Sequence, residues 1–231
     1  MQRSASTFHI HFMRTYCKIT GIFLVLVTAL TAAGYFFWYK PAFDNAPAAR
    51  HAANLERASF DKPIVHRIRK NASVLAGYAR RNNYSTRICF LIDMGISSGK
   101  TRFFVYNLQK DSIEKSGLVT HGSGSDKGED GLYFSNTPGS NCTSLGKYKI
   151  GHSYNGKFGL AYKLYGLDNS NSRAFERFVV LHAHECVPND EIYPLTICQS
   201  WGCPTVSPSF LQSLKETIDR EESPILLSIY K

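Results

Sequence analysis

Hydrophobic and polar residues follow a short-period pattern that predicts a mostly β chain after residue 84. The segments 87–93 and 102–108 are rich in β-branched and aromatic residues, and the Gly/Ser-rich sequence between them predicts a hairpin. Further strands are predicted near residues 117–121, 147–151, 158–164, 177–183 and 224–230. Long Gly/Ser/Asn-rich loops, mainly 121–146 and 165–173, are suited to line a cleft.

Two segments show the periodicity of an amphipathic helix instead. Residues 62–81 gather apolar side chains on one face and basic side chains on the other. The basic face is typical either of a solvated surface or of contact with acidic lipid or an anionic wall polymer. A second helix is expected to start at Ser207 and Pro208, because this pair combines an N-cap with a first-turn proline.

The longest apolar run covers residues 19–39 and contains no charged side chain. At ~1.5 Å rise per residue, a helix of this length spans a hydrocarbon layer of ~30 Å. The run ends in aromatic residues, as expected at a membrane interface. We predict an uncleaved single-pass signal-anchor in a bacterial inner membrane, with residues 1–18 in the cytoplasm and the rest outside it. The alternative is a secreted protein cleaved near the small residues 31–33.

Charge is distributed unevenly along the chain. Residues 1–83 hold 12 Lys/Arg and 3 Asp/Glu, so the whole net charge of +9 lies there. This favours a membrane surface or a tether. With no nucleic-acid-binding motif in the chain, we expect no nucleic-acid partner. We therefore interpret 40–83 as a basic linker with an amphipathic helix, and 84–231 as the functional domain.

The candidate chemistry lies in VLHAHEC (180–186) and QSWGCP (199–204). A thiol attacks an acyl carbon only as thiolate, so it needs a nearby base. In one interpretation, His182 at the end of an apolar strand is the base for a nucleophilic Cys203. Peptide N–H groups around Gly202 and Cys203 would then form an oxyanion pocket, since glycine lets the backbone turn towards a substrate oxygen.

Two other interpretations use the same segment. His182, His184 and Cys186 alternate along a strand, which would point them to one face, and nitrogen and sulfur ligands suit zinc. Alternatively, Cys186 and Cys198 bracket a short loop and form a disulfide outside the cytoplasm. The disulfide is compatible with a Cys203 nucleophile, and sequence alone leaves the three interpretations open.

Several ordered blocks extend these observations: VTHGSGS (119–125), FSNTPGSNCTSLGKY (134–148), GKFGLAYKLYGLD (156–168), VLHA (180–183) and SWGCPTVS (200–207). Together they resemble the murein L,D-transpeptidase catalytic-domain family over about residues 84–231. The resemblance implies a β-sandwich with one or two packed helices, here preceded by the predicted transmembrane helix.

The resemblance also implies roles for individual residues. Cys203 matches the nucleophile and His182 the general base, with the Ala183 carbonyl orienting the ring. Ser200 and Gly202 match the signature loop, whereas Trp201 stands where many family members have histidine. Substrate contacts are expected from His121, Gly122 and His184.

The chemistry that the resemblance implies acts on peptidoglycan stem peptides and needs no cofactor or metal. Cys203 would release a terminal D-alanine and form a thioester. An acceptor amine would resolve it to a 3→3 cross-link, or water would give a carboxypeptidase. The membrane would be a partner through residues 19–39. Two alternatives are a wall-binding module without catalysis and a zinc hydrolase using His182, His184 and Cys186.

Overall fold

The structure is a computed structural model that describes residues 22–39, 62–127 and 131–231. The chain divides into two compact units, Met1–Ser59 and Phe60–Lys231. In the first unit, residues 22–34 are α-helical and a π-helical turn follows over Tyr35–Tyr39. None of the helices among the described residues is both long enough and apolar enough to cross a bilayer. The predicted N-terminal segment 1–18, the first residues of the predicted anchor and residues 40–61 of the linker lie outside the described residues.

The second unit is built on one eight-stranded sheet and two long helices. In chain order these are α1 (Lys62–Asn82), β1 (Ile88–Asp93), β2 (Phe103–Asn107), β3 (Ser112–Gly117), β4 (Gly146–Gly156), β5 (Gly159–Gly166), β6 (Val180–Ala183), β7 (Thr205–Val206), α2 (Pro208–Asp219) and β8 (Leu226–Tyr230). The strand order across the sheet is β3-β2-β1-β8-β4-β5-β6-β7.

Strand pairing places the candidate chemistry at one end of the sheet. The predicted β1–β2 hairpin is present as an antiparallel pair, and β8 joins the two halves by pairing with both β1 and β4. At the far end, β6 runs antiparallel to β5 and parallel to β7. In this register His182 lies opposite Ala161 on one side and Thr205 on the other.

Alternation along the strands divides the core between the two faces of the sheet. On β1, Phe90 and Ile92 belong to a core cluster shared with α2, while Leu91 belongs to a second cluster covered by α1. The apolar face of α1 is buried at Ile68, Ala72, Leu75 and Ala79. The cluster shared with α2 extends to β6 and β7, so that end of the sheet is packed on the α2 side of the core.

Three expectations are corrected by this arrangement. The predicted helix 62–81 is present, but its buried face makes it part of the unit that begins at Phe60, so the domain does not begin at 84. The strand predicted near 117–121 lies earlier, at Ser112–Gly117, because a turn with Asp111 at positive φ returns the chain directly onto β2. The strands form a single sheet in place of the two sheets of a sandwich.

Candidate active site

The residues 199–204, hereafter the nucleophile loop, bring Cys203 against β6. Since His182 pairs with Thr205, Cys203 lies two residues earlier, beside the start of β6. Its Sγ accepts a hydrogen bond from the Val180 N–H at 3.4 Å and donates to the Phe178 carbonyl at 3.7 Å. The thiol is half-buried and forms no disulfide. It therefore meets two requirements of a nucleophile, a free sulfur and access to solvent.

Gly202 sets the shape of the nucleophile loop. Its φ of +108° lies in a region that favours glycine, and a Cβ built there would sit 2.7 Å from the Cys142 carbonyl oxygen. Ser200 closes the turn from inside: its Oγ donates to the Cys203 carbonyl at 2.6 Å and accepts from the Gly202 N–H at 3.1 Å. Ser200 and Gly202 thus fix the backbone conformation of the loop that carries the Cys203 thiol.

Residues His121 and Gly122 support this loop from below. The His121 carbonyl accepts from the Ser200 N–H at 2.9 Å, and Gly122 forms a bridge with Ser200. A Cβ on Gly122 would lie 2.9 Å from the Gly202 Cα, so only a glycine lets the two backbones approach this closely. Both residues are buried beneath the loop. Direct contact of either with substrate stays a prediction.

The His121 side chain is held between two charged groups. Arg102 lies 3.1 Å from Nδ1, and because a guanidinium only donates, Nδ1 is the acceptor. The proton of the neutral ring is therefore on Nε2, which donates to Asp126 at 2.7 Å. Burial first, and then the positive charge of Arg102, lower the pKa of His121 below its ordinary value, although Asp126 opposes the shift.

His182 has only neutral partners. Its Nδ1 lies 3.1 Å from the Ala183 carbonyl, which only accepts, so Nδ1 carries the proton and Nε2 holds the lone pair. That lone pair faces the Thr205 hydroxyl at 3.0 Å. Burial lowers the pKa of His182 below 6.5, against the effect of the Ala183 bond. The ring is consequently a neutral base near pH 7 in the tautomer that a general base needs.

The two candidate catalytic groups are neighbours without a direct hydrogen bond. Within the described chain, no imidazole nitrogen is bonded to the Cys203 sulfur; Thr205 occupies Nε2 of His182 and the thiol faces Val180 and Phe178. Burial raises the pKa of the Cys203 thiol, while the Val180 N–H and the charge of Arg177 act in the opposite direction. The resting thiol is therefore neutral, and a direct bond between the two groups would have to form in a substrate-bound state, in which catalytic hydrogen bonds commonly tighten.

The predicted oxyanion pocket has one free donor at rest. The Gly202 N–H is already bonded to Ser200. The Cys203 N–H has no hydrogen-bond partner in the described part of the chain, and it belongs to the residue that would attack. A substrate oxygen next to the nucleophile would thus meet the Cys203 N–H first.

A cavity lies near His182, although neither His182 nor Cys203 lines it. The Phe158 ring, at the tip of the β4–β5 hairpin, stacks on the His182 ring at 5.3 Å and meets His184 edge-on at 5.9 Å. The cavity has a volume of about 400 Å³ and is lined by Phe158, Leu160, Ala183, His184, Glu185, Pro208, Leu211 and Gln212. Trp201, on the nucleophile loop, is 82% exposed. His182 thus has an exposed aromatic ring stacked on it, and Cys203 has an exposed aromatic residue two positions earlier on its loop.

The cysteines downstream of β6 decide between the alternatives left open by the sequence. Cys186 and Cys198 form a disulfide with a Cα–Cα distance of 6.0 Å. The zinc interpretation is wrong for this set, because a sulfur bonded to Cys198 cannot act as a thiolate ligand. Elsewhere in the described ranges, no three His, Cys, Asp or Glu side chains are grouped as metal ligands.

Three further side chains at the site were not predicted: Phe158, Arg177 and Thr205. Thr205 follows Cys203 by two residues, so strand alternation would have placed it on the same face. Arg177 precedes the apolar strand of His182 and lies beside Gly202. Phe158 is brought to His182 by a hairpin, a contact that has no local signal in the sequence.

Comparison with known proteins places this geometry in a family. The sequence profile of the L,D-transpeptidase catalytic domain matches residues 62–227. Structures similar to this chain include the helical cell shape determining protein Pgp2 (K307A mutant) from Campylobacter jejuni, with 12% identity, TM-score 0.43 and coverage of 63% of this chain and 47% of that one. Bd1075 from Bdellovibrio bacteriovorus is 17% identical, with TM-score 0.39 and coverage of 62% of this chain and 48% of that one. An L,D-transpeptidase from Mycobacterium smegmatis is 11% identical, with TM-score 0.38 and coverage of 63% of this chain and 59% of that one.

The extent of these matches differs between sequence and structure. No curated protein sequence matches the chain. The chain spans about half the length of the first two structures. The family profile, in contrast, covers well over half of this chain and includes α1, the nucleophile loop and both candidate catalytic residues. The chain belongs to the L,D-transpeptidase catalytic-domain family.

Proposed function

We propose that the protein is a cysteine-dependent acyltransferase that remodels peptidoglycan stem peptides. One observation supports this most directly. A free, half-buried thiol at Cys203 lies on the nucleophile loop, and a neutral imidazole at His182, with its lone pair on Nε2, lies on the strand β6 beside that loop. This is the pair of groups that thiol-based acyl transfer requires.

In the first half-reaction, the Cys203 sulfur attacks the carbonyl carbon between the third residue of a stem peptide and its terminal D-alanine. The thiol proton passes to Nε2 of His182, and the carbonyl oxygen takes the negative charge beside the Cys203 N–H. When the tetrahedral intermediate collapses, the C–N bond breaks and His182 returns the proton to the departing amine. The products are free D-alanine and a thioester.

In the second half-reaction, His182 takes a proton from an acceptor, which attacks the thioester carbon, and the thiol is regenerated. An amine on a second stem gives a 3→3 cross-link, whereas water gives a shortened stem. Phe158 restricts the His182 ring to one plane by stacking and leaves the cavity beyond it for an incoming group.

Placement outside the cytoplasm, with residues 19–39 as a signal-anchor, is part of the proposal. It is supported by the absence of charge across 19–39. The disulfide adds support, because such bonds persist mainly in oxidising compartments. Alkaline extraction of membranes from cells that make the full chain would test the anchor, since an integral protein stays in the pellet.

The catalytic proposal is tested with the purified full chain and disaccharide-tetrapeptide muropeptides. Mass spectrometry should show release of D-alanine together with dimers or shortened stems, and intact mass should show a transient thioester. The variant Cys203→Ala should lose all of these products. The matched control Cys142→Ala, which removes another free cysteine, should keep them. Full turnover by Cys203→Ala would reject the proposal, and binding without any acylation would favour the non-catalytic wall-binding module.

A further inference from the structure

Arg177 lies beside the nucleophile loop in a fixed orientation. Its Nη1 donates to the Ser135 carbonyl at 2.9 Å and to the Ser144 hydroxyl at 3.1 Å, and its Nη2 donates to the Cys142 carbonyl at 2.6 Å. Three bonds to the loop that follows residue 131 hold the guanidinium in place. They also leave two of its five N–H groups without a partner in the described chain.

None of these three partners carries a charge. This separates Arg177 from Arg173, four residues earlier, whose guanidinium is bound in bidentate fashion by Glu176 at 2.9 Å. Arg177 forms no salt bridge with a described carboxylate, although it is only partly exposed. A half-buried guanidinium with uncharged partners and spare donors favours an anion.

The uncompensated charge of the Arg177 guanidinium lies next to the nucleophile loop. A Cβ built on Gly202 would be 3.2 Å from Nη2 of Arg177, so the guanidinium borders the residue preceding the nucleophile. Its charge reaches the sulfur and lowers the pKa of Cys203 against the effect of burial. The neighbouring Phe178 carbonyl is the group to which the thiol donates. An anion held by Arg177 would thus lie beside the nucleophile loop, next to the residue that precedes Cys203.

We infer that Arg177 binds the terminal carboxylate of the leaving amino acid, so that acylation of Cys203 depends on the negative charge of that carboxylate. The inference rests on the proposed function, in which the leaving group is an amino acid with a free carboxylate. One residue of peptide spans ~3.5 Å, so that carboxylate follows the scissile carbonyl at short range. An amidated stem would offer no charge.

The test removes the guanidinium from the protein and the carboxylate charge from the substrate, separately and together. The full chain and its Arg177→Gln variant are each given a disaccharide-tetrapeptide that ends in D-alanine, and the same compound ending in D-alanine amide. The rate of Cys203 acylation is followed by intact mass. For the natural protein we expect the amide to react about tenfold to a hundredfold more slowly, as loss of a charge-assisted bidentate contact implies. In Arg177→Gln the two compounds should react at nearly the same rate.

Two further variants make the result specific. Arg173→Gln removes a nearby guanidinium whose carboxylate partner is already present, and it should keep the natural preference. If Arg177→Gln does not fold, equilibrium binding to Cys203→Ala measures the carboxylate preference of a site that retains Arg177, and the carboxylate compound is expected to bind about tenfold or more tightly than the amide. Equal binding of the two compounds would reject the inference.

The outcomes separate this inference from the proposed function. If Arg177→Gln slows both compounds by the same factor, the guanidinium acts through loop structure or the thiol, and carboxylate recognition is rejected. If the natural protein acylates both compounds at equal rates, the inference fails while the acyltransferase proposal stands. If neither compound acylates Cys203, the proposed function fails and the inference falls with it.

Discussion

His121 and His182 lie on either side of the nucleophile loop and differ in the groups around them. Both are nearly buried, with 4% and 8% of their surface exposed. In both, burial is the main cause of a lowered pKa. However, His121 lies between Arg102 and Asp126, whereas His182 contacts a carbonyl, a hydroxyl and an aromatic ring.

This difference determines which ring is suited to accept a proton and then return it. Protonating His121 would place a second N–H against the Arg102 guanidinium, 3.1 Å away. Protonating His182 costs no hydrogen bond, because the Thr205 hydroxyl can change from donor to acceptor while Ala183 continues to accept from Nδ1. Burial makes both rings neutral, but only the one with adaptable, uncharged partners is suited to be a general base.

The most demanding test replaces His182. The variant His182→Gln should slow acylation of Cys203 by about 10²–10⁴-fold, because the thiol loses its proton acceptor. Rates from intact mass, with circular dichroism as a control for folding, would measure this. If His121→Gln proves more damaging than His182→Gln in folded protein, the roles of the two rings would be reversed.

The second test concerns stability. His121→Gln should lower the free energy of unfolding by about 1–3 kcal/mol, since Arg102 and Asp126 each lose a buried partner. Urea unfolding of the full chain gives this value. His182→Gln should cost less, because its partners are neutral. Equal losses in the two variants would show that the charged setting of His121 adds nothing to folding.

The third test uses pH. Because the folded pKa of each histidine lies below its unfolded value of 6.5, the unfolded chain binds more protons in mild acid. Stability from these rings is complete above pH 6.5 and is lost as pH falls towards the folded pKa values, by at most about 1.4 kcal/mol per pH unit for each ring. Urea unfolding at pH 7.5, 6.5 and 5.5 should show this slope, and His121→Gln should reduce it. Identical slopes would contradict the assignment for His121.

The smallest expected effect is that of Thr205→Val. Valine neither donates nor accepts, so the His182 imidazolium formed during acylation would lose its partner on Nε2. We expect a decrease of about threefold to tenfold in acylation rate, the equivalent of one neutral hydrogen bond. The acid limb of the pH–rate profile should also move to lower pH. Thr205→Ser keeps the hydroxyl and should behave like the natural protein; if Thr205→Val also does, Thr205 is not a partner of the working base.

Much of the fold was readable because its signals are local. The β1–β2 hairpin, the apolar face of α1 and the Ser207 cap of α2 each depend on neighbouring residues, and all three are present. The position of β3 depends instead on a turn at Asp111. The positive φ of this residue could not be predicted from the sequence. The single sheet likewise depends on β8, the last strand, pairing between two earlier ones.

The site likewise contains residues with local sequence signals and residues whose role depends on distant parts of the chain. Cys203, His182 and Ala183 were predicted from short motifs, and the structure places the nucleophile loop of Cys203 beside β6, which carries the other two. Arg177 could not be predicted, because its relevance depends on bonds to a loop more than thirty residues earlier in the chain. The Cys186–Cys198 pairing remained one of several options, since a disulfide depends on spatial separation that spacing along the sequence does not define.

The Cys186–Cys198 bridge has a consequence for the chain that connects the two candidate catalytic residues. It joins the chain just after the base-bearing strand to the residue just before the nucleophile loop. The two candidate catalytic residues, His182 and Cys203, therefore flank one covalent ring, closed only by oxidation. Reduction would leave the whole chain between them as an open loop, held at its ends by the pairing of β6 with β7.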